Sequence, residues 1–124
     1  MTLELSAPHE ARAGEPIPFT IRLGNTGSAP LTLYLRGRPV AFDVIVTDAR
    51  GRVVWRRLQD AAVSMALQVR ELKSGETLTF EERWSQHTNA GAQAQPGEYR
   101  VKGEILTDTD TPLETPIHSF RITP

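Results

Sequence analysis

The chain has no cysteine. That excludes disulfides, thiolate nucleophiles and cysteine-ligated zinc together. It has no basic excess either: the formal net charge is −1, which leaves nothing to hold a phosphate backbone and argues against a nucleic-acid partner. Of its 14 basic residues only Lys73 and Lys102 are lysine, a compositional habit rather than a site. No apolar run approaches the length of a membrane span. The opening "MTLELSAPHE" has no basic start and no apolar stretch, so it is not a signal peptide. The expectation is a cytoplasmic protein, or an exported one whose leader has been removed.

Chemistry-bearing motifs are missing as well. His9, His87 and His118 are far apart and show no HxH or HExxH spacing. There is no nucleophile elbow, no Walker loop and no dinucleotide glycine fingerprint. Glu81 and Glu82 are neighbours on a strand-like run, so they point to opposite faces and cannot share a proton-transfer site. No catalytic residue, metal site or cofactor is expected, and the chain is not read as an enzyme.

What is present is alternation. In "IPFTIRL" Ile17, Phe19, Ile21 and Leu23 fall on one face; in "LTLYL" so do Leu31, Leu33 and Leu35. "VAFDVIVT" sets Val40, Phe42, Val44 and Val46 inward, and "YRVKGEI" does the same with Tyr99, Val101, Gly103 and Ile105. "TLEL" and "FRI" supply short end pieces. Between the runs lie turn signals: "NTGSAP" at 25–30, "DARG" at 48–51, "KSGE" at 73–76 and "QPGE" at 95–98. Short strands separated by turns at this spacing predict an all-β, immunoglobulin-like antiparallel sandwich of about seven to nine strands. With 124 residues, 39% apolar, and no linker or repeat, residues 1–124 form one domain with a real core.

"RRLQDAAVSMALQVREL" (56–72) fits two periods. Its composition favours helix, but a helix would leave Val63 and Leu67 facing solvent. A strand over about 62–70, with Val63, Met65, Leu67 and Val69 on one hidden face, fits the all-β context better, with a helical turn allowed around Leu58–Ala61. Glu82 falls in register with Leu78, Phe80 and Trp84, where an apolar residue is expected. A bulge, an open strand face, or burial against an arginine would each account for it. His118 shares parity with Phe120 and Ile122 and reads as a structural histidine at the core edge.

Two segments are candidates for recognition. "SQHTNAGAQAQPG" (85–97) is longer than a hairpin needs, and loops of that length are functional or mobile; its polar candidates are His87, Asn89, Gln93 and Gln95. Its Ala, Gly and Gln content argues against rigidity. "RGRPV" (36–40) offers Arg36, Arg38 and Pro39 on a tight connection. Outward Thr32, Tyr34, Ala41 and Ile45 are barely charged, so the outer sheet face is a second place for a partner.

The order "VTDARGRVVWRR…LQVRELKSGETLTFEERW…PGEYRVKGEI" resembles the bacterial intracellular proteinase inhibitor family, the BsuPI-type domain. The resemblance rests on Asp48 and Gly51, Trp55, Leu72 with Gly75 and Glu76, Phe80 and Trp84, then Pro96, Gly97 and Tyr99. Upstream, Asn25, Thr26, Pro30 and Leu33 match the family's lead-in. The likeness covers roughly residues 17 to 107. Lys73 and Ser74 replace a turn proline, and Glu82 stands where the family often has an aromatic. The resemblance implies an immunoglobulin-like sandwich and, for the family's named member, inhibition of an intracellular subtilisin-type serine protease; physically an inhibitor needs an exposed loop or strand that docks in the protease cleft. The alternative from the residues themselves is a non-inhibitory protein-binding module, with a homodimer through a sheet face or edge.

Overall fold

The computed structural model describes all 124 residues. It contains strands and turns only: β1 (Thr2–Ser6), β2 (Glu10–Arg12), β3 (Ile17–Gly24), β4 (Leu31–Arg36), β5 (Phe42–Asp48), β6 (Val53–Arg56), β7 (Leu67–Leu72), β8 (Thr77–Trp84), β9 (Gly97–Ile105), β10 (Leu113–Glu114) and β11 (His118–Thr123). Eleven strands exceed the seven to nine expected. The additions include β2 and β10, of three and two residues, too short to print a period in the sequence.

One layer is the sheet β1-β3-β8; the other runs β2-β11-β9-β5-β6, with β10 beside β9. Strands β4 and β7 form a separate antiparallel pair. All other pairings are antiparallel except β2 with β11, which is parallel. The proline in "IPFTIRL" is tolerated because β1 pairs only with residues 20–24 of β3, so Pro18 lies past the end of that ladder.

Alternation delivers the core as expected. Ile17, Phe19, Ile21 and Leu23 of β3 face Phe42, Val44 and Val46 of β5 and Tyr99, Val101 and Ile105 of β9 across the sandwich, and all are buried. Leu33, Leu35, Leu72, Phe120 and Ile122 join the same cluster. Trp84 packs edge-on to Tyr99 and Phe120, with centroids 6.3 and 6.5 Å away, and stacks on Trp55 at 5.8 Å. Asn25 closes the β3–β4 connection. Its amide donates to the carbonyls of Ala29 and Leu72, both at 2.9 Å, and its Oδ1 accepts from Gly27 N–H.

Two expectations are corrected, and of the three readings open for Glu82 the arginine partner is the one found. Residues 57–60 form turns, 61–66 lack strand pairing, and the strand begins only at Leu67. Its apolar face also points the other way: Met65 is 74% exposed, Leu67 45% and Val69 66%, while Leu72 is buried. Ile45 and Ala41 are buried rather than outward. Ile45 lies on a central strand, between Arg56 of β6 and Lys102 of β9. Ala41 is folded into the turn after β4, its N–H donating to Arg36 O at 2.8 Å. Glu82 needs no bulge, since the β3–β8 register is continuous. It is half-buried and accepts from Arg57 Nε at 2.7 Å. Arg57 in turn lies 3.8 Å over the Phe42 ring, so a charge occupies an apolar position because a partner covers it.

Gly103 faces Ile21 across the core, and a Cβ there would meet Ile21 Cγ1 at 2.7 Å and press still harder on Cδ1. Gly103→Val is therefore expected to cost about 2 kcal/mol or more through overpacking. Urea unfolding should show a lower midpoint at unchanged slope; an unchanged midpoint would contradict this packing.

Candidate functional site

The two recognition segments lie at opposite ends of the sandwich. The 85–97 loop joins the end of β8 to the start of β9, next to the end of β5 and the start of β6. The 36–40 turn joins the end of β4 to the start of β5, beside the end of β9. β5 alone, at seven residues, separates them by about 20 Å. His87, Asn89, Gln93 and Gln95 are thus brought together on one loop; Arg36, Arg38 and Pro39 form a second group on the other connection.

The 85–97 loop is ordered by hydrogen bonds that its composition conceals. Thr88 N–H donates to Ala92 O at 2.7 Å, and Ala94 N–H to Gln86 O at 2.7 Å, with a bridge between His87 and Gln93. The result is a small hairpin with an exposed tip at 88–92. Asn89 fastens that tip to β6: its Oδ1 accepts from Arg56 N–H at 2.8 Å, its Nδ2 donates to Arg56 O at 3.1 Å, and its N–H donates to Val54 O. Gln86 fastens the base. It is fully buried, sits in the left-handed region at φ 66°, and donates to Arg12 O and Glu15 O while accepting from Gly14 N–H. Trp84 Nε1 donates to His87 O at 3.0 Å. Gln93 reaches Gln86 Oε1 at 3.4 Å, and Gln95 O accepts from Tyr99 Oη at 2.6 Å.

Beside this loop a cavity of about 530 Å³ opens between Gln93, Gln95, Tyr99, Asp48 and Arg52. Asp48 caps the β5–β6 turn, with Oδ1 accepting from Arg50 N–H and Arg52 N–H and Oδ2 from Arg52 Nε. The backbone bond from Arg52 leads the causes that hold its carboxyl below the usual 3.8. Burial and the Asp48 charge push Tyr99 above 10.0. Ser85 Oγ and His87 Nδ1 lie 3.2 Å apart on the surface, but no carboxylate is hydrogen-bonded to the other ring nitrogen, so the pair has no third member to orient a base.

At the other end a cavity of about 470 Å³ is floored by Asp43, Arg56 and Glu104 and walled by Arg36, Leu58 and Asp110. Asp43 is buried within an apolar strand. It accepts from Arg56 Nε at 3.0 Å and Nη2 at 2.8 Å, and from Leu58 N–H at 3.0 Å. Those bonds fill its acceptor positions and make it a structural charge. Burial raises Glu104 above 4.5, assisted by Glu114, its neighbour across the β9–β10 pair. Arg36 Nε is buried without an acceptor. In the turn itself Gly37 O accepts from Gln68 Nε2 at 2.7 Å, and Arg38 and Pro39 are exposed. His118 is half-buried, its ring stacked on His9 at 5.2 Å, at the core edge as its parity predicts.

Sequence reasoning missed the Asp43–Arg56 pair and the two side chains that organise the long loop, Gln86 and Asn89. A signal existed for the first: an acid inside "VAFDVIV" demands a cation from a neighbouring strand, and "VVWRR" supplies one. None existed for the others.

The fold is thus a two-layer all-β sandwich whose 85–97 loop is clamped at its base. The BsuPI family, intracellular proteinase inhibitor, matches residues 3–109, and the chain belongs to that family. No curated protein sequence matches it. Among solved structures it is similar to the alkylpurine DNA glycosylase AlkC of Pseudomonas fluorescens bound to DNA containing an abasic site analog, with TM-score 0.51 and 15% identity over 98% of this chain and 29% of that one. It is also similar to a β-glucosidase of Listeria innocua in complex with gluconolactone, with TM-score 0.50 and 16% identity over 98% of this chain and 16% of that enzyme. At such identities these likenesses concern the fold alone.

Two outcomes follow from the clamps. Asn89→Ala should free the tip, costing about 1 kcal/mol and speeding exchange of the Arg56 amide while core amides stay protected; unchanged Arg56 exchange would contradict the clamp. Asp48 should titrate below 3.8 in a carbon-13 pH series. Because the folded value is depressed, its stabilisation of the turn is present at neutral pH and fades as pH falls through that folded value. A titration at or above 3.8 would count against the cap.

Proposed function

We propose that the chain is a proteinaceous inhibitor of a subtilisin-type serine protease that docks through its 85–97 loop. The observation that carries this reading is membership of a family described as intracellular proteinase inhibitor, joined to a loop whose tip at 88–92 is exposed while its base is clamped. An inhibitor loop that is ordered before binding has already met its conformational cost during folding, so less affinity is lost on docking. The bonds on either side of the tip, Ala94 N–H to Gln86 O and Trp84 Nε1 to His87 O, would hold both halves in place after cleavage and favour resealing over release. The 36–40 turn, with exposed Arg38 and Pro39, is the competing element.

Peptide hydrolysis by a subtilisin should slow at nanomolar concentrations of this protein. Replacing residues 89–92 with glycines should weaken that at least tenfold, and Arg38→Ala with Pro39→Ala should leave it unchanged. The reverse pattern would move docking to the 36–40 end. No slowing of any serine protease at micromolar protein would end the proposal.

A further inference from the structure

Strand β7 is built inside out. Its inward positions carry Gln68 and Arg70 ahead of buried Leu72, while Leu67 and Val69 face solvent beside Tyr34, which lies opposite Val69 on β4 and is 50% exposed. The strand is also an edge: it pairs with β4 and with nothing else. Gly37 N–H donates to Ala66 O at 2.7 Å, extending the β4–β7 register by one pair. Backbone groups alternate sides along an antiparallel strand. The even-numbered residues therefore face β4, and the N–H and C=O of Leu67, Val69 and Glu71 face outward from the sheet. An edge of this kind, with Leu67 and Val69 exposed and no proline within it, is a template for another strand.

We propose that this edge pairs with the β7 edge of a second copy of the chain, antiparallel and two-fold about Val69. Charge complementarity selects both occupant and register. Arg38 lies at the open side, its Nη2 3.5 Å from Leu67 O. Neither Arg38 nor Glu71 has an ion-pair partner within the chain. Pairing about Val69 sets Glu71 of the second copy opposite Leu67, within reach of Arg38, and symmetry repeats the contact. Gln68 then opposes Arg70, and Val69 opposes itself. Centring on Arg70 would instead set two arginines face to face and bring Lys73 toward Arg38. Centring on Gln68 would leave Glu71 opposite Met65, with no ion pair. The Val69 register joins Tyr34, Leu67 and Val69 of both copies into one apolar strip across four strands.

The proposal is independent of protease inhibition, because its readout is mass without any protease present. In sedimentation velocity from low micromolar to near-millimolar protein, the species should shift from 13.8 kDa to twice that mass. Val69→Pro removes an N–H that the fold itself does not use, so it should stay folded by circular dichroism and remain monomeric throughout. Glu71→Arg, which leaves the backbone intact, should weaken dimerisation at least tenfold, and the swap Arg38→Glu with Glu71→Arg should restore it. A wild-type chain that remains at 13.8 kDa overturns the proposal. So does a Glu71→Arg variant, or a folded Val69→Pro variant, that dimerises as well as the wild type.

Discussion

The Trp84 indole is the contact on which the rest depends. It ends β8, fills the space between the sheets against Tyr99 and Phe120, and stacks on Trp55 from β6. Its one polar atom donates to His87 O. A large aromatic side chain can bury a big apolar surface and still need one partner for its N–H. Here that need is met by the first turn of the 85–97 loop. Core packing and loop geometry are thus one arrangement: the side chain that best fills the sandwich also sets the angle at which the loop leaves it.

The same economy governs the charges. Arginine supplies the pairs that reach Asp43 and Glu82, while Lys102 joins Glu104 and Glu114. Arg56 gives Asp43 two bonds from one planar group, and Arg57 lies flat on Phe42 while bonding Glu82. A guanidinium can do this because it is planar, always charged and weakly hydrated, whereas an ammonium is a compact, strongly hydrated point. The Arg56 fork joins β6 to β5 on the face away from the core, where Asp43 alternates with the core residues Phe42 and Val44.

Much of the fold was legible because β3, β5 and β9 alternate cleanly, and burial follows a period of two wherever one face is covered. The failure at β7 is of another kind. Alternation says that two faces differ, not which one faces in. Apolarity alone places Leu67 and Val69 in the core, but their position is set by the β4 register and by Leu72, which takes the last inward place. Glu82 stayed open in the sequence because its partner, Arg57, lies 25 residues away. The long loop was legible as a candidate from its length, yet its composition suggested slackness. Its order comes from Gln86 and Asn89, polar residues whose partners are backbone groups of distant strands, and no local pattern announces those.

The parallel pairing of β2 with β11 joins residues 10–12 to residues 121–123. Between them and β5 lies β9, reached only through β11. During synthesis the early strands β1 and β3 can meet β8 while later segments are still being made, but β2 must wait for almost the whole chain. Contacts of such sequence separation are entropically slow to form. A nascent chain therefore carries β2 without its partner from residue 12 until β11 is made, and that is the interval in which a molecular chaperone has most to protect.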